Sequence, residues 1–431
     1  MSAKKSPLRW VRLDNAAKIY PAARRRNWSN VFRQSVTLYE EVDIDILKSA
    51  LDVTVKRFPS IAARLRKGVF WYYLEQVEKA PKIKNEYSFP LSFMSREETR
   101  KCAFRVIAYR DRIAVEFFHS LTDGTGAMVF LKSLTAEYLE QRHGITIPAE
   151  FGVLDRSQKP QPEELEDCFP KNKGSVPLSR KDTDAWRLSG DVQTDGFLNL
   201  ICFQISVKDA INLAHKYNCT LTVFLSAVMM QALLNLQKEK NPNIKKQKRI
   251  KVLIPINLRT LFPSSTLRNF AMYTVPEIDP RLGEYSFEEI CKVIYHKMGT
   301  EITQKHMSRV IATNVNDEEN PIIRVIPLPI KNIVMKAIFD SVGERKSCLT
   351  LSNLGQVKLP EIMYNYVKRM DFILGVQAAA PYNCGVLSYK DTLYINFIRN
   401  IRDAELERHF YAILHEMGLE VTVESNKRWE V

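Results

Sequence analysis

The chain has 431 residues, of which 45% are hydrophobic, and a formal net charge of +14. That is enough apolar material for two halves around sizeable cores, and it excludes global disorder and a small disulfide-stapled scaffold. The charge favours an anionic partner such as a phosphate-rich cofactor, an acidic carrier protein or anionic lipid. The basic residues are scattered, however, and neither an RNP-like motif nor a Cys/His finger spacing points to nucleic acid.

Residues 1–35 are basic and irregular, with Trp10, Tyr20 and Trp28 as candidate anchors and no apolar stretch of the signal-peptide kind. Residues 36–38 read as a strand. Asp43 is placed to cap a helix striped by Ile44, Leu47, Leu51, Val55 and Phe58, which Pro59 ends. Residues 71–77 read as a strand, and 104–109 with 112–118 as a hairpin over the polar turn Arg110-Asp111. Ile113, Val115 and Phe117 share one strand face, and His119 continues that parity as the strand stops. Gly124 and Gly126 bracket a tight turn. Asp123 or Thr125 can cap the following helix, where Ala127, Phe130, Leu131, Leu134 and Tyr138 recur at helical spacing. A histidine therefore points inward at a strand-to-helix junction with a carboxylate four residues on, which suits a general base.

In 150–195, Pro160, Pro162, Pro170 and Pro177 sit among charged residues and read as a crossover. This divides the chain into 1–155, a linker at 156–195, and 196–431. A strand at 198–207 and a helix at 208–217 follow. Thr220 or Thr222 then opens a long helix ending near Lys238. Its run 221–236 is too short, and too polar at Thr222, Ser226 and Gln231, for a membrane span. The Lys-rich stretch 238–251 reads as a solvated loop, with phosphate contact as the alternative. A strand at 251–256 ends in Pro255-Ile256-Asn257-Leu258-Arg259. Residues 287–305 read as one helix, and 322–339 as apolar, broken by Pro327 and Pro329, then helical. A strand at 349–351 runs into an exit loop, Ser352-Asn353-Leu354-Gly355. Strands near 370–376, 385–389 and 392–398, a helix at 403–418 and a strand at 419–424 complete the chain.

The seven cysteines show no zinc or redox spacing, which suits a reducing cytosol and excludes a structural metal. His143, His215, His296, His306, His409 and His415 lie on helices or their ends and read as surface or packing residues.

His119-Ser-Leu-Thr-Asp123-Gly124 resembles the HxxxDG motif of the chloramphenicol-acetyltransferase-like superfamily of CoA-dependent acyltransferases. Arg57 to Leu65 resembles that group's first-helix exit, and 213–233 its central helix pair. Pro255-Ile256-Asn257-Leu258-Arg259 and Ser352-Asn353-Leu354-Gly355 fall in the expected order, so the resemblance spans about residues 36–425. Phe118 stands where many condensation domains carry a second histidine, and the DFGWG motif of the plant enzymes is absent. The nearest branch is alcohol O-acetyltransferase-like.

The resemblance implies an α/β fold of two CAT-like subdomains, a pseudo-dimer with an active-site tunnel between them. It implies transfer from acyl-CoA, or from an acyl carrier protein, to a small alcohol or amine. Coenzyme A is then a co-substrate, with no permanently bound cofactor and no metal. His119 becomes the general base, and Asp123 a structural residue paired with an arginine, for which Arg259 is the candidate. Gly124 serves the close turn, and Ser352 and Asn353 are oxyanion candidates. Against these stand a satisfied core histidine at 119, a mere helix cap at Asp123, and turn residues at 352 and 353. A free-standing amide-forming condensation enzyme and a non-catalytic protein retaining the fold are the rival functions. Two linked halves can enclose a site, which is compatible with a monomer.

Overall fold

The computed structural model describes residues 10–24, 30–86, 89–177, 183–193, 195–338, 346–376 and 380–426. Trp28 and Phe339 lie outside them. Two large mixed layers and one small sheet organise the chain among these residues. The first sheet has five strands in the order Val367–Ile373, Val31–Leu38, Arg112–Phe118, Phe104–Tyr109 and Lys84–Asn85. The second has eight. Its main path runs Ala271–Thr274, Ile250–Asn257, Leu349–Val357, Tyr382–Tyr389, Thr392–Arg399, Asn199–Ser206 and Thr422–Ser425, and Glu277–Ile278 pairs with Ile250–Asn257 off this path. A three-stranded sheet joins Trp10–Arg12, Tyr72–Gln76 and Ala63–Lys67.

Helices with clear stop and start signals cover the sheets. Asp43 Oδ1 accepts from the amides of Asp45 and Ile46, so Ile44–Arg57 begins where the capping residue demands. It packs beside Gly124–His143, which closes on Gly144 in the left-handed region. In the second half, Thr220 caps Leu221–Lys240, which packs against Glu405–Glu416 and Phe287–Glu301. Leu221–Lys240 is long and apolar enough to cross a membrane by composition, yet 67% of its apolar window is buried inside the protein. It forms the centre of the second core, with Phe224, Val228 and Leu233 fully buried.

Strand Val367–Ile373 belongs by sequence to the second half but hydrogen-bonds antiparallel to Val31–Leu38 of the first sheet. The two large sheets meet just beyond it. A Cβ on Gly385 would lie 2.5 Å from the carbonyl oxygen of Phe372, so only glycine permits this backbone approach. The first core accordingly includes Met370, Phe372, Leu387 and Tyr389 beside Phe104, Phe117 and Phe130.

Three expectations change. The helix expected over 287–305 is two, Phe287–Glu301 and Gln304–Glu319, because Thr303 accepts from the His306 amide and starts a new helix. The strand at 349–351 continues to Val357, so Ser352 and Asn353 lie within a strand rather than in an exit loop. The register shifts between Asn353 and Gln356, and Gly355, at φ +76°, absorbs the extra residue as a bulge. Pro329 does not interrupt the late helix. It sits in the first turn of Leu328–Ile338, where its missing N–H costs nothing.

Candidate active site

His119 follows the last residue of strand Arg112–Phe118, and its amide donates to the Asn30 carbonyl at 2.9 Å. The five residues from His119 to Asp123 are held by distant segments. Ser120 Oγ donates to the Ala17 carbonyl at 3.1 Å, and Thr122 Oγ1 to the Leu267 carbonyl at 2.6 Å. The loop is thus fixed from both halves of the chain.

The imidazole stacks on Tyr20, with centroids 4.5 Å apart and an interplanar angle of 19°. Phe32 lies against it at 4.9 Å in a tilted arrangement. Nδ1 is 3.1 Å from Asn269 Oδ1, and Asn269 Nδ2 is turned to Asp14 Oδ2 at 3.3 Å. The carboxylate fixes which way the amide points. The hydrogen-bond network therefore assigns the proton to Nδ1 and leaves Nε2 to accept one. The histidine is enclosed by these neighbours but retains solvent-accessible surface. Burial pushes its pKa below the ordinary 6.5, while its own backbone carbonyl, the Asp123 carboxylate and Asn269 oppose that shift. The ring is accordingly neutral at neutral pH.

Asp14 and Asn269 are 1% and 2% exposed. Burial raises the Asp14 carboxyl to about 6, against the pull of Arg268, whose Nε lies 3.7 Å away. Arg268 Nη2 also donates to the Arg12 carbonyl at 2.5 Å. The N-terminal segment, irregular by sequence, thus supplies both the stacking ring and the carboxylate behind the histidine. Tyr20 stood out in the sequence as an anchor. Asp14 and Asn269 gave no signal, because they meet across 255 residues.

Asp123 turns away from the imidazole. Its Oδ1 accepts from the amides of Thr125 and Gly126, at 3.1 and 3.0 Å, and caps the helix. Its Oδ2 accepts from Arg259 Nη1 and from the Phe270 amide, both at 2.8 Å. Cap and ion pair coexist on one carboxylate. The rest of the Arg259 guanidinium donates to the carbonyls of Thr266 and Arg268, so the pair also shapes the segment that carries Asn269.

Gly124 passes its carbonyl to Gln34 Nε2 at 2.7 Å. A Cβ there would meet only the end of the Leu354 side chain. At Gly126 it would lie 2.2 Å from Thr122 Oγ1 and 2.3 Å from the Leu267 carbonyl oxygen. Gly126 is thus the sterically stricter of the two. Asn353 is engaged at both ends: its Nδ2 donates to Thr222 Oγ1 at 3.1 Å and its Oδ1 accepts from the Gly355 amide at 2.8 Å. Ser352 is buried in the same strand. Among the described residues no hydrogen bond or ring contact joins either of them to His119.

One surface hollow of about 460 Å³ is lined by residues including Gly174, Phe262 and Arg309, and a second of about 80 Å³ lies beside Tyr138 and His143. Neither is lined by His119, whose ring is packed against Tyr20 and Phe32. Among the described residues no group of three or more His, Cys, Asp or Glu side chains is placed to hold a metal ion. The six remaining histidines lie elsewhere. His409 does meet an acidic partner, Glu239, at 3.2 Å from another helix.

No family model matches the chain. No curated protein matches it either. Solved structures do. Polyketide synthase associated protein 5 from Mycobacterium tuberculosis superposes with a TM-score of 0.61 at 13% identity, covering 94% of this chain and 96% of that one. A Fusarium sporotrichioides protein complexed with coenzyme A and T-2 gives 0.62 at 10%, covering 96% and 99%. The first condensation domain of the CDA synthetase gives 0.58 at 13%, covering 96% and 97%. The chain therefore shares the two-subdomain fold of these proteins, a condensation domain among them, as the HxxxDG resemblance implied. At these identities the likeness speaks for the fold.

Proposed function

We propose that this protein is an acyltransferase that moves an acyl group from acyl-CoA, or from an acyl carrier thioester, to a hydroxyl or amine acceptor. The observation that carries the reading is a neutral imidazole with Nδ1 held by Asn269 and Nε2 left as acceptor, at the strand-to-helix junction of this fold. In the proposed reaction Nε2 takes the proton of the acceptor O–H or N–H as that atom attacks the thioester carbonyl. The tetrahedral adduct collapses, the C–S bond breaks, and the departing thiolate takes the proton back from the imidazolium. The products are the ester or amide and free thiol, and the histidine is restored. A general base of this kind contributes about 10²–10⁴-fold. Of the two oxyanion candidates this reading keeps Ser352, since the Asn353 amide is already engaged.

In this reading a passage between the halves brings donor and acceptor to Nε2, and the basic surface suits CoA phosphates. The cysteines, all unpaired, fit a reducing cytosol. The test is thiol release from a panel of acyl-CoAs with an alcohol or amine present. The wild type is expected to turn over and His119→Ala to be inactive with its circular dichroism unchanged. An active alanine variant sinks the assignment of the base. Amide formation from carrier-bound acyl groups is the second reading, favoured by the overlap with condensation domains and disfavoured by Phe118. Turnover with carrier-bound but not CoA-bound donors selects it.

A further inference from the structure

Helix Leu328–Ile338 is amphipathic in the inverted sense. Its polar side is anchored to the protein. The Leu328 amide donates to the Val69 carbonyl at 2.9 Å, and Asn332 Nδ2 donates to Tyr72 Oη at 3.1 Å. Lys331, only 4% exposed, donates to the Phe70 carbonyl and lies 3.5 Å over the Trp71 ring. Its apolar side faces solvent: Ile330, Ile333 and Val334 are 53%, 71% and 49% exposed, at the i, i+3, i+4 spacing of one face. Val325, just before the helix, is 68% exposed.

The same hydrogen bonds bring a second apolar element alongside. The turn joining strands Ala63–Lys67 and Tyr72–Gln76 presents Val69 and Phe70, which are 71% and 43% exposed. Six large exposed apolar side chains, from Leu328–Ile338, the short helix Pro321–Val325 before it and a hairpin tip hydrogen-bonded to it, therefore lie in one region of the surface. Isolated surface hydrophobics need no explanation, but a cluster of this kind does. Exposed Lys67, Arg324 and Lys336 accompany it, and among the described residues none of them forms an ion pair.

We infer that this face docks on an anionic bilayer surface, with the aliphatic side chains entering the interface and the three cations meeting lipid headgroups. Charge selects this occupant. A contact with a second copy would bring these three cations against a molecule that itself carries a net charge of +14. A bilayer carrying anionic lipid reverses that term. The inference does not depend on the acyl-transfer reading: although Leu328–Ile338 packs against Ile19–Ala23, which carries Tyr20, none of the side chains it uses is assigned a part in that reaction.

The test is co-sedimentation of the full chain with phosphatidylcholine vesicles, with and without phosphatidylserine. Binding is expected only with phosphatidylserine, and is expected to fall as salt is raised. The double variant Ile333→Asp/Val334→Asp should weaken it at least about tenfold. Lys336→Gln should weaken it about fivefold, the contribution of one cation near such a surface. All three side chains are exposed, so the melting temperature should hold. Failure of the wild type to bind, or full binding by the double variant, overturns the inference. So does self-association that the double variant abolishes without any vesicle binding, which assigns the face to a second copy. The Lys336→Gln arm is read independently should the double variant melt early; unaltered phosphatidylserine binding there also overturns it.

Discussion

The side-chain oxygen of Asn269 lies 3.1 Å from Nδ1 of His119, and the nitrogen of the same amide is turned to buried Asp14. One amide thus reads a carboxylate on one side and sets an imidazole tautomer on the other. Asn269→Ala should lower kcat about five- to tenfold, the scale of one net hydrogen bond, and leave KM nearly unchanged. Steady-state kinetics with a saturating donor checks this. An unaltered kcat removes Asn269 from the positioning of the base.

The pH dependence has a defined sign. Burial holds the folded His119 pKa below 6.5. The neutral form is therefore favoured in the folded state, and its share of stability is present above 6.5 and lost as pH falls through the lower folded value. The acid limb of kcat/KM is expected below 6.5. Asp14 runs the other way: its folded pKa is raised from 3.8 to about 6, so its share is present below 3.8 and lost as pH rises through about 6. An activity profile whose acid limb sits at or above 6.5 counts against His119 as the group being read.

Asp123 and Arg259 form a nearly buried pair at 2.8 Å, their side chains 6% and 11% exposed. Arg259→Ala leaves the carboxylate with the Phe270, Thr125 and Gly126 amides but no cation. Loss of a buried partner costs about 3–5 kcal/mol. Asp123→Asn keeps the shape and should cost less than Arg259→Ala. Both should lose activity together with melting temperature, because the pair shapes the segment carrying Asn269. Normal melting in both variants would strip the pair of its structural role.

The two glycines of the turn should behave differently. Gly126→Ala sets a methyl 2.3 Å from the Leu267 carbonyl oxygen, and backbone must move. Gly124→Ala meets only a Leu354 methyl, which can rotate aside. Thermal denaturation should show Gly126→Ala less stable by at least about 2 kcal/mol, and Gly124→Ala nearer to wild type. Equal effects would mean that the turn is not set by the Thr122–Leu267 contact.

Lys132 offers a separate check. Burial pushes its ammonium down to about 8, and it is held by the carbonyls of Phe151 and Lys358 at 2.8 and 2.7 Å. A lowered lysine pKa makes stability rise with pH above about 8. Lys132→Met should flatten that rise in a series of denaturant melts. Persistence of the full slope would assign it to other groups.

What the sequence made legible follows from locality. The hairpin Phe104–Tyr109 with Arg112–Phe118 matches its expected bounds, because strict alternation and a polar turn specify it. Asp43 and Thr220 announce their helices for the same reason. Ser352-Asn353-Leu354-Gly355 misled, since the residues that make a turn also make a bulge. Only the partner strand Tyr382–Tyr389 distinguishes the two. The pairing of Asp123 with Arg259 came from a resemblance. The contact of His119 with Asn269 had no local mark at all, and it emerges only when residues 14, 119 and 269 are brought together.

Strand Val367–Ile373 closes the edge of the first sheet along Val31–Leu38. On the ribosome, that edge must wait unpaired while more than three hundred further residues are synthesised. A nascent chain in this condition exposes hydrogen-bonding groups and Val31, Phe32 and Val36 to any neighbouring strand. A fragment stopped before residue 367 should accordingly aggregate during expression, even though it contains the whole HxxxDG segment, and co-expressed chaperones should matter more to its yield than temperature.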